Sequence, residues 1–206
     1  MYYDGFNLYH AVEDLRQPHL KWCDLRVLGE LISRGHAKSI DKAVFCTAYF
    51  KGDAGKRFRH ESYVNALKLR GVETKLGHTT TEPMSCHAHH CGRRWDQPRE
   101  KETDINLSLA IFEDALDNVF DVAFVVTADT DQVATFRAVH LRFPQKRVIH
   151  VVPPGRQPAK HLHDNSYKKT VIKITASHMA QCLMPPLVMK DGERSINRPR
   201  EYDPPT

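Results

Sequence analysis

The sequence predicts an α/β protein in three layers, with a mostly parallel, doubly wound sheet between helices. Two observations predict it. Apolar runs of strand length alternate along the chain with segments of helical period. The clearest run, residues 121–127, is unbroken, as expected of a strand buried on both faces. The 206 residues, 41 % of them hydrophobic, suit one domain of ordinary size that carries an insert.

The first half of the chain opens with a strand that ends at Tyr3 and a helix that starts near Leu8. Asp24 is a plausible N-cap for the next helix, and Gly71 a C-cap for the third. The predicted elements that follow Leu8 are a helix over 24–33, a strand over 42–50, a basic helix over 57–70 and a strand over 72–76.

The second half resumes at Thr103 with a helix. Its apolar residues recur at helical spacing and predict the buried face, namely Ile105, Leu109, Phe112 and Leu116. Then come a strand over 121–127, a helix over 131–143, strands over 147–152 and 170–175, and a helix over 176–183. We expect one domain over 1–184, and a tail over 185–206 because that segment is rich in proline and charge.

Charge and cysteine content limit the class of protein. A net charge of +5 fits a polyanionic partner without requiring one. Five cysteines, three of them isolated, make a poor disulfide framework. Neither a signal peptide nor a membrane-spanning run is visible, so the sequence predicts a cytoplasmic protein with reduced thiols and no membrane partner. A homo-oligomer stays possible.

Acidic residues follow the predicted strands. Asp4 ends the first strand, Asp129 and Asp131 follow the strongest one, and Asp104 opens the helix that leads into it. Ligands bind outside the carboxyl ends of strands in such a sheet. Asp104 and Asp131 can equally be helix caps. A carboxylate directly after a buried strand, as at Asp4 and Asp129, is costly unless it is paired, hydrogen-bonded or metal-bound.

Converging carboxylates favour a hard divalent cation, Mg²⁺ or Mn²⁺, which relieves their repulsion. Such an ion supports hydrolysis of a phosphate ester. We expect no nucleophilic side chain, because no His–Ser or His–Cys pair is found at the same strand ends. ATP hydrolysis is not expected, because the chain has no Gly-rich phosphate loop.

Three short motifs resemble those of the NYN domains, a branch of the PIN-like nuclease superfamily. They are Tyr-Asp-Gly-Phe-Asn-Leu-Tyr over 3–9, Glu-Lys-Glu-Thr-Asp-Ile-Asn over 100–106, and Val-Val-Thr-Ala-Asp-Thr-Asp over 125–131. Their order and spacing agree with that family over roughly residues 1–175. Thr127 and Ala128 replace the family's usual Ser-Gly. The chain starts three residues before Asp4, so a shortened first strand is expected.

The resemblance implies a metal-dependent nuclease that acts on RNA. Asp4, Asp104 and Asp129 would bind the metal or act in catalysis, and Asp131 would complete the acidic cluster. Asn7 would orient Asp4 or touch substrate, and Thr127 would hydrogen-bond within the site.

Residues 77–101 form a Cys/His-rich insert with no apolar period. A connection of this length is typically functional, metal-stapled or disordered. Cys86 and Cys91, with His78 and His89 as the first choices among the histidines, are compatible with a tetrahedral zinc site. Three alternatives stay open: a structural zinc, a flexible loop without metal, and a catalytic zinc.

Basic and aromatic residues surround the predicted site. Those expected to contact phosphate follow the second strand or precede Asp104, chiefly Arg57, Arg59 and Lys101. Tyr9, Tyr49 and Trp95 can stack on unpaired bases, or can belong to the core.

The leading hypothesis is therefore an endoribonuclease acting on single-stranded RNA, with DNA as an alternative substrate. Two other hypotheses are an RNA-binding regulatory protein of the same fold without cleavage, and a phosphohydrolase acting on small esters.

Overall fold

A computed structural model describes residues 1–88 and 91–205. Six parallel strands form the central sheet in the spatial order β3-β2-β1-β6-β7-β8. The strands are β1 (Tyr2–Asp4), β2 (Val44–Thr47), β3 (Glu73–Leu76), β6 (Val122–Val126), β7 (Arg147–Val152) and β8 (Val171–Lys173). Two small antiparallel pairs lie outside the sheet: β4 (His78–Ser85) with β5 (Arg94–Lys101), and β9 (Leu187–Val188) with β10 (Ile196–Asn197).

Helices cover both faces of the sheet, which gives the three layers predicted from the sequence. Successive strand residues alternate between the faces, so Tyr3 and Phe45 enter one apolar core while Tyr2 and Val44 enter the other. The first core is closed by α1 (Gly5–Asp14), α2 (Leu25–Ile32), α3 (Ala54–Leu69) and α7 (Ala176–Gln181). The second is closed by α4 (Thr103–Leu116), α5 (Val133–Arg142) and α6 (Lys160–Asn165).

Helix α4 turns a different face inward from the one predicted. Ile105, Leu109 and Leu116 are 62 %, 51 % and 61 % exposed, so the predicted buried stripe is wrong. Leu107 and Ile111 pack on the sheet instead. The inward face also carries the carboxylate of Asp114, which accepts hydrogen bonds from the Tyr2 hydroxyl at 2.7 Å and the Lys42 ammonium at 2.8 Å. These two partners satisfy the buried charge.

The segment over 185–206 is not a free tail. Val188 and Tyr202 are buried in the first core. The Trp22 indole donates to the carbonyl of Pro185 at 3.0 Å, and Arg59 pairs with Glu201 at 2.9 Å. Proline and charge content predicted exposure, but a few apolar anchors suffice to fix the segment.

The insert over 77–101 is an antiparallel hairpin of β4 and β5. The register pairs His78 with Lys101 at its base and Ser85 with Arg94 near its tip. Of its sixteen described strand residues only Thr79 is buried. Backbone pairing, rather than apolar burial, therefore holds the hairpin together. In the described part of the chain, no helix is long and apolar enough to cross a membrane.

Candidate active site

The four predicted aspartates follow strands or open helices where the sheet changes direction. Chain order runs outward from β1 to β3 on one side and from β6 to β8 on the other, so β1 and β6 are neighbours at the switch point. Asp4 is the last residue of β1, and Asp129 follows β6 by three residues. The crevice at such a point is where open α/β sheets bind ligands.

Asp4 is buried and held by three donors. Its Oδ1 accepts a hydrogen bond from the Asn7 backbone amide at 3.0 Å. Its Oδ2 accepts from the Asn7 side-chain amide at 2.6 Å and the Thr127 hydroxyl at 2.8 Å. Burial raises the pKa of Asp4, while these donors lower it and Asp129 raises it further. A carboxylate has about four lone-pair sites, so Asp4 keeps acceptor capacity for a ligand.

Asn7 and Thr127 also tie the two strands together. The Asn7 side-chain oxygen accepts from the Ala128 amide at 3.2 Å, and the Thr127 hydroxyl oxygen accepts from the Asp129 amide at 3.0 Å. Both residues, which the sequence predicted as substrate-binding, act here on the shape of the two acidic turns.

Gly5 explains why the first motif has glycine after Asp4. Helix α1 begins at Gly5 and lies close to β2. A Cβ atom there would come within 2.5 Å of the Cys46 carbonyl oxygen and 2.8 Å of the Thr47 Cβ. Any side chain would push α1, and with it Asn7, away from the end of the sheet.

Asp129 and Asp131 differ in role. Asp129 caps the short 3₁₀ turn that follows β6 by accepting from the Asp131 amide at 2.9 Å. Asp131 is exposed on that turn. Its carboxylate is nevertheless close enough to contribute to the raised pKa of Asp104.

Asp104 shows that the carboxylates converge. Burial raises its pKa from 3.8 to about 6, with Asp4, Asp129, Glu100 and Asp131 as further causes in that order. Among the described residues, no hydrogen-bond donor reaches its carboxylate. The predicted helix-cap alternative is wrong for Asp104, because Glu102 occupies the N-cap position and Asp104 lies inside the first turn.

Glu100 is a fifth carboxylate that sequence reasoning passed over. It accepts a hydrogen bond from the Thr103 amide at 2.8 Å and contributes to the raised pKa of Asp104. It stood within the second motif, but helix and strand patterns gave no reason to single it out.

A buried glutamine joins the two halves of the site. The Gln132 side chain donates to the Asp104 carbonyl at 3.2 Å and accepts from the hydroxyls of Ser108 at 3.1 Å and Thr135 at 3.0 Å. Gln132 thereby links the start of α4 to the turn that carries Asp129 and Asp131. A lone glutamine in a sequence gives no signal of such a network.

Two further contacts fix the backbone around the acids. Glu102 has a φ of 74°, a left-handed conformation at the start of α4, and its carboxylate pairs with the His78 imidazole at 3.1 Å. On the other side, His150 is buried in β7, and its Nε2 lies 2.9 Å from the Thr127 carbonyl oxygen.

The acidic site fits a hard divalent cation bound through few protein ligands. Across residues 1–88 and 91–205, no three His, Cys, Asp or Glu side chains are arranged to hold one ion. Mg²⁺ commonly uses one or two carboxylates, completed by water and substrate phosphate. The unpaired Asp104 carboxylate and the remaining acceptor capacity of Asp4 supply such ligands, and Asp129 lies beside both.

The predicted phosphate contacts are all engaged in ion pairs. Arg57 pairs with Glu61 at 2.8 Å, Arg59 with Glu201 at 2.9 Å and Lys101 with Glu82 at 2.7 Å. Lys101 is absent from the causes that shift the pKa of Asp104. The acidic cluster is therefore not neutralised by the lysine that the sequence suggested.

Aromatic side chains gather beside the end of β1 and β2. Tyr9 packs on Phe50 with ring centroids 5.0 Å apart, and Phe6 lies 6.0 Å from Phe50. Phe6, Tyr9, Tyr49 and Phe50 are half-buried, so they belong to the core in part and present edges to solvent. Trp95, on the hairpin, is 43 % exposed.

One histidine–hydroxyl pair lies at a strand end. The His60 Nε2 is 3.1 Å from the Thr47 hydroxyl, but both residues are buried. Burial lowers the pKa of His60 to about 4. The pair is neutral and shielded from substrate, which agrees with the absence of an expected nucleophile.

The predicted zinc ligands do not come together as a set. His78 lies at the base of the hairpin and Cys86 at its tip, about 25 Å away at the rise of an extended strand. The prediction that His78 shares an ion with the two cysteines is therefore wrong. Cys86 and Cys91 are both at the tip, and His89 lies outside the described residues.

Comparisons with known proteins bear on the fold alone. No family model matches the chain, and no curated protein does. A protein of unknown function from Vibrio parahaemolyticus, VPA0982, is similar in structure, with a TM-score of 0.52 at 20 % identity over 84 % of this chain and 89 % of its own. This likeness confirms the α/β fold class.

A second structure is more distant. A hypothetical protein from Neisseria gonorrhoeae with bound ppGpp has a TM-score of 0.25 at 13 % identity, over 77 % of this chain and 78 % of its own. A likeness at that level carries no inference.

Proposed function

We propose that the protein is a metal-dependent endoribonuclease of the NYN type, acting on single-stranded RNA. The observation that carries the proposal is the convergence of Asp4, Asp104 and Asp129 at the switch point of a parallel sheet. Their mutual repulsion raises the pKa of Asp104 to about 6, although burial is the larger cause. A site that concentrates negative charge in this way favours a divalent cation and the phosphate that accompanies it.

The residues of the chain would divide the work as follows. Asp104 and Asp129 hold the cation, and Asp4 contributes a fixed oxygen whose direction Asn7 and Thr127 set. Mg²⁺ or Mn²⁺ bound there neutralises charge on the scissile phosphate and lowers the pKa of water. Asp131 and Glu100, at the rim, orient water or accept its proton.

Single-stranded RNA fits the surroundings better than a small ester. Half-buried aromatic rings at the end of β1 and β2 lie on the side of the acids where a strand would pass, and bases can stack on exposed ring edges and faces. DNA offers the same phosphate and bases, so it belongs in the test.

The test is cleavage of end-labelled single-stranded RNA by purified protein with Mg²⁺ or Mn²⁺. We expect cleavage that EDTA abolishes, and a loss of more than about 100-fold in Asp129→Asn, because even partners behind metal ligands cost 10–100-fold. Asp117→Asn, an exposed residue at the far end of α4, is the matched control and should retain full activity.

Three results would contradict the proposal in different ways. Tight RNA binding without cleavage at high enzyme concentration would indicate an RNA-binding protein. Hydrolysis of a small phosphate ester but not of RNA would indicate a phosphohydrolase. Full activity in Asp129→Asn would mean that the acidic cluster is not the site.

A further inference from the structure

The tip of the β4–β5 hairpin is a separate place where chemistry is concentrated. The Cys86 amide donates to the Arg93 carbonyl at 2.8 Å, and the Cys91 amide donates to the Ala88 carbonyl at 3.0 Å. These two hydrogen bonds bring both cysteines to one compact loop. Both are free thiols, Cys86 half-buried and Cys91 exposed, whereas Cys23, Cys46 and Cys182 are buried in the cores.

Backbone amides point at both sulfur atoms. The Ala88 amide donates to the Cys86 sulfur at 3.4 Å. A backbone hydrogen bond from Arg93 and a side-chain contact with Cys86 lower the pKa of the Cys91 thiol. Each sulfur thus receives an amide from the residue two positions later. Hydrogen bonds of this kind favour the thiolate, which is the form of cysteine that binds metal.

The hairpin needs something to fix this end. Its base is anchored by the Thr79 hydroxyl, which donates to the Tyr49 carbonyl at 2.8 Å. Toward the tip, the described residues of β4 and β5 are half-buried or exposed, and an isolated hairpin is at best marginally stable in water. A metal cross-link is the usual remedy for a polar segment that cannot fold by burial.

We propose that Cys86 and Cys91 bind one zinc ion as thiolates and that this ion fixes the tip of the hairpin. Two thiolates favour Zn²⁺ over the hard cations of the acidic site. The sequence offers nitrogen donors between the cysteines, His87, His89 and His90, of which the last two lie outside the described residues. Binding displaces two thiol protons to solvent and changes no oxidation state.

The test is the zinc content of the untagged full-length protein, purified under reducing conditions in metal-free buffer after brief incubation with ZnSO₄. We expect one zinc per chain in the wild type, and its loss in Cys86→Ser and in Cys91→Ser. His78→Ala is the matched control, because it changes a histidine of the same hairpin at the opposite end. It should keep its zinc.

Limited trypsin digestion gives a second readout, because Arg93 and Arg94 are exposed next to the tip. A zinc-selective chelator, or either Cys→Ser change, should speed cleavage at these two arginines several-fold. The cleavage rate elsewhere should not change. These measurements use no RNA, so their failure is distinct from failure of the nuclease proposal.

The proposal is overturned by a wild-type protein that takes up no zinc. It is also overturned by zinc retained in both cysteine variants, or by one zinc shared between two chains. A Cys86–Cys91 disulfide that persists in reductant would show that the pair serves as a covalent bridge instead. Circular dichroism of the serine variants checks that the sheet is intact, which is expected because both residues lie outside the cores.

Discussion

The acidic edge of the sheet and the hairpin that leads into it treat a carboxylate in opposite ways. At the edge, Asp104 is half-buried among other acids, and its pKa is raised to about 6. On the hairpin, Glu82 lies between Lys101 at 2.7 Å and Arg99 at 3.1 Å, and its pKa is lowered, mainly by the Lys101 hydrogen bond. One region concentrates unbalanced charge and the other balances it.

The difference separates a site from a scaffold. Unrelieved repulsion between acids costs stability, and it is retained where binding of a cation removes the cost. The buried hydrogen bonds of Thr127 and Gln132 hold the acidic edge in that arrangement. The hairpin spends its charges on one another and contributes almost nothing to either core.

The largest effect in this comparison is expected from Thr127→Val. The change keeps the shape but removes the hydroxyl that donates to Asp4 and accepts from the Asp129 amide. We expect kcat/KM for RNA cleavage to fall about 10–100-fold. The free energy of unfolding should fall by about 1–3 kcal/mol, because buried polar groups lose their partners.

Two variants sharpen that result. Thr127→Ser restores the hydroxyl and should recover most of the activity. Thr80→Val makes the same exchange on the hairpin, where the hydroxyl contacts only the Arg99 carbonyl at 3.5 Å, and should be silent. If Thr127→Ser were as impaired as Thr127→Val, the methyl packing rather than the hydrogen bonds would be responsible.

A smaller effect is expected on the stability of the metal-free protein. The folded state raises the pKa of Asp104 from 3.8 to about 6, so it holds the proton more tightly than the unfolded chain does. Stability therefore falls as pH rises from about 4 to about 6, and the cost is complete above that range. Asp104→Asn carries no charge and should remove the cost.

The gain in Asp104→Asn should be about 1 kcal/mol near pH 7, because partial exposure discounts the shift. That corresponds to a rise in Tm of about 2–4 °C, vanishing below about pH 4. Millimolar Mn²⁺ should raise the Tm of the wild type but not of the variant. A variant no more stable than wild type, with Asp117→Asn as reference, would mean that the acids are not in tension.

The sequence was sufficient for the parts of the molecule that depend on local pattern. The strand predicted over 147–152 coincides with β7, and the acids at strand ends do gather at one edge. Apolar spacing could not orient α4, because that helix has apolar residues on more than one face. Its inward face is chosen by long-range partners, as when Asp114 receives the Tyr2 hydroxyl across 112 residues.

Gln132 and the hairpin were missed for the same reason. Gln132 is informative only once Ser108 and Thr135 face it from α4 and α5. The hairpin has no alternation of apolar and polar residues because neither of its faces covers a core. Backbone pairing leaves little trace in composition, so the sequence marked the insert as unusual without giving its form.

The smallest effect is expected from Glu82→Gln on the hairpin. The lowered pKa of Glu82 means that its charge favours the folded state above the pKa of the unfolded chain and that this contribution is lost on acidification. Because the pair with Lys101 is solvent-exposed, water and salt screen it, and thermal unfolding should be unchanged across the same pH range in which Asp104→Asn changes it. Differential scanning fluorimetry of both variants side by side makes the comparison. A loss of stability in Glu82→Gln that disappears at high salt would show that charge balance, and not backbone pairing with a fixed tip, holds the hairpin in place.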